Sequence, residues 1–183
     1  MLWDESGLLM APLVRRSWAV RGRPPELLQK GRHREKVSVA AGLWLPPSQD
    51  RVGLWSRTLV NEYFDNVRVA AALRSVARVL RNRLVVVWDG GTLHKGEPIR
   101  ALCGGRPWRF RFELLPPYAP MLNPVEPVWS WLKFGRWSNF APRDAEHLDS
   151  VLVPELEALR RDRARLVSFF MASDLPPPRK LLT

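Results

Sequence analysis

The chain has 183 residues, 46% of them hydrophobic, with 29 Lys plus Arg against 18 Asp plus Glu and a formal charge of +11. That apolar content excludes disorder, the length suits one domain with a substantial core, and the one-signed, arginine-dominated excess points to a polyanion, above all nucleic acid. The single cysteine, Cys103, excludes an internal disulfide and a cysteine-cluster zinc site, and reads as a small buried residue. No apolar run approaches ~18 residues, so no membrane span is expected. The acidic start is wrong for a signal peptide, and a cytoplasmic protein follows by default.

In chain order, Met1-Leu2-Trp3 is a brief apolar run that ends in Asp4-Glu5-Ser6-Gly7. Residues 8 to 23 predict a hairpin followed by a loop, with Trp18 between Arg15-Arg16 and Ala19-Val20. Arg21, Arg23, Lys30, Arg32, Arg34 and Lys36 make a basic loop around Pro24-Pro25. It reads either as a contact to a DNA backbone or as an ordinary solvated loop. Val37 to Leu45 and residues 52 to 60 predict two strands, antiparallel across the turn-prone Pro46-Pro47-Ser48-Gln49-Asp50.

Asn61 to Asn82 predicts a helix. Val69, Leu73, Val76 and Leu80 form its apolar stripe, and Arg68, Arg74, Arg78 and Arg81 occupy other faces. The helix feeds Leu84-Val85-Val86-Val87-Trp88-Asp89, which reads as a central strand buried on both faces and parallel to its neighbour. An Asp at the carboxyl end of such a strand sits where open α/β sheets place their ligand sites. With Gly90-Gly91 behind it, Asp89 reads second as the start of a turn. His94 is either a helper beside that carboxylate or a solvent-exposed residue at a helix start. Residues 94 to 103 predict a short helix ended by Gly104-Gly105. Arg106 to Arg111 then places Trp108 and Phe110 among three arginines.

Phe110 to Leu115 predicts a strand, and Pro116, Pro117 and Pro120 hold an extended loop. Asn123 is a natural N-cap, with Pro124 at the first helical position. Glu126 falls in the first turn, where it is either half of a capping box or a free carboxylate. Val128, Trp129, Trp131 and Leu132 predict one buried helix face. A last helical region spans about Asp144 to Ala172, with a stripe of Leu148, Leu152, Leu156 and Leu159. Pro154 marks a kink or a fresh start in it. Arg160, Arg161, Arg163 and Arg165 make a basic face, read first as solvated and second as tracking DNA. Pro176-Pro177-Pro178 is extended. Of the nine tryptophans, Trp44, Trp55, Trp88 and Trp129 belong to apolar segments and read as core. Trp18, Trp108 and Trp137, beside arginines, are the candidates for DNA contact.

Asp4, Asp89 and Glu126 thus stand at two strand ends and one helix start. Carboxylates so placed can bind hard cations such as Mg²⁺, and two such ions clamp the attacking and leaving oxygens of a phosphodiester.

Asp4-Glu5-Ser6-Gly7, Arg15-Arg16-Ser17-Trp18 with Gly22, Asp89-Gly90-Gly91-Thr92-Leu93-His94, and Leu115-Pro116-Pro117-Tyr118-Ala119-Pro120 through Leu122-Asn123-Pro124-Val125-Glu126 with Trp129 and Lys133 carry a family pattern. Together they resemble the DDE catalytic domain of mariner-like transposases, most closely the bacterial insertion sequence 630 family. The resemblance covers about residues 1 to 150, and the Pro-Pro-Tyr-Ala-Pro block through Glu126 is its most specific part. It implies an RNase H-like α/β fold, a mixed sheet flanked by helices, with residues 151 to 183 as a C-terminal helix and Pro-rich tail. It also implies that Asp4, Asp89 and Glu126 are the catalytic triad holding two Mg²⁺ or Mn²⁺ ions, with His94 and Asn123 as auxiliaries. Arg15, Arg16, Arg21, Arg23, Arg106, Arg109 and Lys133 are the residues expected on DNA.

The implied activity is strand cleavage and strand transfer, with transposon ends and target DNA as partners. Three features depart from the pattern: Gly90 stands where the family usually has Asn, only Met1, Leu2 and Trp3 precede Asp4, and a helix-turn-helix region is absent. A partner from a split reading frame is therefore expected to read DNA sequence, and a homodimer is a further expectation. A non-catalytic DNA-binding remnant and a cellular RNase H-like nuclease stay open as rival readings.

Overall fold

The first strand does not end at Asp4. In the computed structural model, which describes all residues except 12, 25, 27–34, 82, 106–108, 179 and 181–183, β1 runs over Leu2–Leu9. It is followed by β2 (Lys36–Trp44), β3 (Gly53–Val60), β4 (Leu84–Trp88) and β5 (Phe110–Leu114). The five strands form one sheet in the order β3-β2-β1-β4-β5. β1, β2 and β3 pair antiparallel, with Asp4 opposite Ala41 and Ala41 opposite Ser56. β4 joins the other edge of β1 in parallel, Leu2 opposite Val87, and β5 runs parallel to β4. This is the mixed sheet expected, with the parallel crossover made by α1 (Asn66–Leu80).

The remaining helices are α2 (Glu97–Gly105), α3 (Glu126–Ser130), α4 (Ala145–Arg161) and α5 (Arg163–Met171). They bury both faces of the sheet. On one face Leu2, Leu8, Val37, Val39 and Leu43 pack with Val128, Trp129, Leu148, Leu152, Leu159 and Leu166 from α3, α4 and α5. On the other, Trp3, Ala40, Val86 and Trp88 pack with Val69, Leu73 and Val76 of α1 and Ile99 and Leu102 of α2. Full burial of each such aliphatic side chain contributes roughly 1.5–3 kcal/mol. No helix among the described residues is long and apolar enough to cross a membrane.

Several expected elements move. α1 begins at Asn66 because the Asp65 carboxylate accepts the Arg68 amide at 2.8 Å, an N-cap five residues later than expected. Among the described residues of 8 to 23 no separate hairpin forms: Leu8 and Leu9 still pair with β2, and beyond them Leu13 bridges to Ser138. β4 alternates rather than being buried throughout, with Val85 39% exposed, and β2 is the strand covered on both faces. Pro154 sits inside α4 without ending it. Leu152 and Leu156 on either side of it stay buried, so packing holds the helix through the one lost hydrogen bond. The break falls at Asp162, whose carboxylate caps α5 through the Arg165 amide at 3.0 Å.

Candidate active site

The alternation of β1 sends neighbouring carboxylates to opposite faces of the sheet. Asp4 faces α3: its Oδ2 accepts from Trp129 Nε1 at 2.8 Å. Ser6, two residues on, faces the same way, and its Oγ accepts from Lys133 Nζ at 2.7 Å. Trp129 and Lys133 lie four residues apart, so two rungs tie β1 to one side of this helical segment. Glu5 faces the α1 side, where Trp3 Nε1 donates to its Oε1 at 2.5 Å and His94 Nε2 lies 3.0 Å from its Oε2.

Asp89 leaves the end of β4 beside these residues. Its Oδ1 accepts from the Gly91 amide at 2.9 Å, so the turn reading of Asp89-Gly90-Gly91 holds. A Cβ at Gly91 would meet the same Oδ1 at 2.9 Å and displace the carboxylate. His94 Nδ1 lies 2.8 Å from Asp89 Oδ1, and the ring stacks on Trp88 at 4.3 Å between centroids. His94 is buried, not solvent-exposed. Nε2 faces the Glu5 carboxylate, and Nδ1 faces both the Asp89 carbonyl at 3.0 Å and its carboxylate, an arrangement that the doubly protonated ring satisfies. Burial alone would lower its pKa, but the hydrogen bond and charge of Glu5, aided by Asp89, outweigh it and the net shift is upward.

Glu126 opens α3 without capping it. The Asn123 amide donates to Pro120 O at 2.9 Å, so it is not available to a capping-box carboxylate. Asn123 is buried and works locally instead, its Oδ1 accepting from the Val125 amide at 3.2 Å and its carbonyl from the Glu126 amide at 3.0 Å. The helix therefore starts two residues later than Pro124, and after Ser130 it widens into a π turn over Trp131–Arg136.

Asp4, Asp89, Asn123 and Glu126 line one cleft of about 900 Å³, walled by Leu114 to Pro120. Burial, followed by the nearby charges of Glu126 and Glu5, pushes the Asp4 carboxyl up to about 7, although the Trp129 hydrogen bond acts the other way. Among the described residues no Lys or Arg forms an ion pair with Asp4 or Glu126. Among the described residues, no group of three His, Cys, Asp or Glu side chains is placed to hold a metal ion. Carboxylate oxygens are the donors a hard divalent cation takes, and Asp4 and Glu126 carry no Lys or Arg partner among those residues, while Asp89 faces His94 and Lys95 also lines the cleft.

A family model described as DDE superfamily endonuclease matches residues 1–149. The chain belongs to the DDE superfamily endonucleases. No curated protein matches the sequence. Among solved structures, this DDE endonuclease is similar to a Mos1 transposase paired-end complex with the left transposon end, with TM-score 0.63 and 16% identity over 98% of this chain and 52% of that one. It is also similar to a pre-cleavage Mos1 transpososome, with TM-score 0.66 and 15% identity over 93% and 50%. For the catalytic domain of Mos1 mariner transposase the TM-score is 0.56, with 14% identity over 93% and 73%. At such identities the likeness is one of fold, the RNase H-like arrangement of a mixed sheet flanked by helices. The chain spans about half the length of the Mos1 chains in those assemblies.

The basic residues of this DDE endonuclease scatter more than its carboxylates. Arg16, Arg21 and Arg23 are exposed on the loop after β1, beside a wholly exposed Trp18. Arg15 anchors that loop, its Nη1 donating to Phe134 O at 2.6 Å. Lys133 is turned to Ser6. Arg109 donates through Nη2 to Ala77 O, at the end of the sheet away from the cleft. Lys36 is a buried residue of β2 rather than part of a basic loop, and Trp137 is buried rather than open to DNA. Lys30, Arg32, Arg34, Arg106 and Trp108 lie outside the described residues. On α4 and α5, Arg160 pairs with Glu157 at 3.2 Å and Arg165 with Asp162 at 2.9 Å, as a solvated face would. Sequence reasoning missed Glu5. Its signal was present in the alternation of β1, which sends residues 4 and 5 to different neighbours.

Proposed function

We propose that this chain is the catalytic domain of a transposase that cleaves DNA and joins strands at transposon ends, with Asp4, Asp89 and Glu126 as the ligands of two Mg²⁺ or Mn²⁺ ions. The observation that supports the reading is that these three carboxylates line one cleft, where Asp4 and Glu126 form no ion pair with Lys or Arg among the described residues. The ions would supply activation of the attacking hydroxyl and neutralisation of the leaving oxygen. The chain's own residues set the geometry. Trp129 fixes the Asp4 carboxylate from the α3 side. Glu5, through His94, fixes Asp89 from the α1 side. Asn123 sets the backbone turn that presents Glu126. The proline-rich wall from Leu115 to Pro120 gives the cleft a stiff side against which a DNA strand can lie.

Mg²⁺ and Mn²⁺ complexes of Mos1 transposase, and Mos1 assemblies on transposon ends, support this reading by analogy. A helix-turn-helix part that reads sequence, and a homodimer, complete the proposed assembly. The test is a nicking assay with Mg²⁺ or Mn²⁺, terminal-repeat DNA and the N-terminal part supplied separately. Cleavage that disappears with Asp89→Ala is the expected result. No cleavage by the wild type sinks the enzyme reading, and cleavage that survives Asp89→Ala sinks the site.

A further inference from the structure

α1 buries Val69, Leu73 and Val76 and turns another face outward. Steps of four and three residues place Arg74, Arg78 and Arg81 on that face, spread over roughly 10 Å of helix axis at ~1.5 Å per residue. They line a cavity of about 580 Å³ with Ala77, Leu102 and Phe110. Arg109 completes the wall while holding the Ala77 carbonyl. Among the described residues, no Asp or Glu forms an ion pair with Arg74, Arg78 or Arg81, whereas Arg68, Arg136 and Arg165 each have a carboxylate. The helix dipole accounts for cations at Arg78 and Arg81, near the C-terminus of α1, but not for Arg74 or for the concavity.

The cavity lies beside Arg81 and Arg109, at the start of β4 and β5, whereas Asp89 and Leu115 follow the ends of the same two strands. The five residues of β4 separate the two places by roughly 16 Å, at ~3.3 Å per residue. We infer that this cavity is a second DNA-backbone site, holding a stretch of duplex distinct from the one in the carboxylate cleft. The inference rests on the reading of the chain as a DNA-acting domain. Three guanidiniums over that span match about three phosphates at the ~3.4 Å axial rise of one strand. The charged side chains of the lining are all guanidiniums, which suit bidentate contacts to phosphate oxygens.

The test is fluorescence anisotropy of the full chain on a labelled duplex across a series of NaCl concentrations. Wild type is compared with R74A/R78A/R81A, and Mn²⁺ binding at the cleft serves as the check on folding. The slope of log K against log[NaCl] is expected to become shallower by about 2–3 in the triple variant, at ~0.9 per phosphate. If the triple variant does not fold, R74A alone is measured, with a loss of about 0.9 expected. An unchanged slope in a folded variant overturns the site while leaving the enzyme reading intact. A wild type that binds no DNA at all overturns both.

Discussion

Asp4→Asn isolates the electrostatic tension of the cleft. The folded-state carboxyl is raised from the ordinary 3.8 to about 7, first by burial and then by Glu126 and Glu5. The folded protein therefore holds a proton that the unfolded chain releases at lower pH. Stability from this group is fully present below about pH 4 and is lost as pH rises toward about 7. At about 1.4 kcal/mol per pH unit, the gap amounts to roughly 4 kcal/mol at pH 8, taken as a ceiling. Asn is isosteric and uncharged, and it keeps an acceptor for Trp129 Nε1. The variant is thus expected to unfold roughly 10 °C higher than wild type at pH 8 in EDTA, using ~2–4 °C per kcal/mol for a chain of this size. The difference should close as pH falls to about 4. Mg²⁺ should raise the wild-type transition and leave the variant's unchanged. Trp129→Phe acts in the opposite sense, since it removes the hydrogen bond that holds Asp4 down. Thermal unfolding followed by circular dichroism across pH, with and without Mg²⁺, measures all of this. Equal transitions at pH 8 in EDTA, or a gap that persists at pH 4, refute the reasoning.

Two other substitutions examine the flanks of the cleft. Glu5→Gln removes the charge and hydrogen bond that raise the His94 pKa and so loosens Asp89; Mn²⁺ affinity by electron paramagnetic resonance should fall roughly tenfold to a hundredfold, the range for partners of metal ligands. An unchanged affinity would leave Glu5 with a packing role only. Glu126→Ala should weaken Mn²⁺ binding and lower the pH at which Asp4 titrates, without the loss of about 1 kcal/mol that removing a helix cap brings. That loss with normal Mn²⁺ affinity would restore the cap and remove the ligand.

The parts legible in the sequence are those set by short-range chemistry. The Val-rich run before Asp89 specified β4, and the proline block specified the loop that leads to Glu126. The apolar stripe of α1 specified one buried face. The parts that were not legible depend on distant partners. Glu5, Ser6 and Gly7 look like a polar loop, yet they are strand because β2 supplies hydrogen bonds along their whole length and His94 and Lys133 satisfy two of the side chains. His94 stayed open between a helper and an exposed residue because nothing local announces that Trp88 will stack on it. Asn123 looked like an N-cap because its own amide's engagement by Pro120 cannot be read from residue types. The basic loop was the weakest reading. Charge runs do not tell which cations turn inward, as Lys36 does, or which are engaged at the surface, as Arg15 is by Phe134 O.

The arrangement of charge also weighs between an enzyme and a remnant that only binds DNA. A chain with a net charge of +11 has cations in abundance to neutralise a half-buried carboxylate. Lys133 comes close, but donates to Ser6, two residues along the same strand from Asp4. Binding DNA needs positive surface and gains nothing from three acids in its groove, since each repels phosphate. Metal-assisted phosphodiester chemistry needs the acids, and needs Asp4 and Glu126 free of an internal Lys or Arg that would occupy the place of the cation. The folded state accepts a destabilising Asp4 while arginines elsewhere on the same molecule, such as Arg136 and Arg165, are paired with acids on solvated helices. That distribution favours the catalytic reading and leaves the DNA-binding remnant without a reason for the cleft.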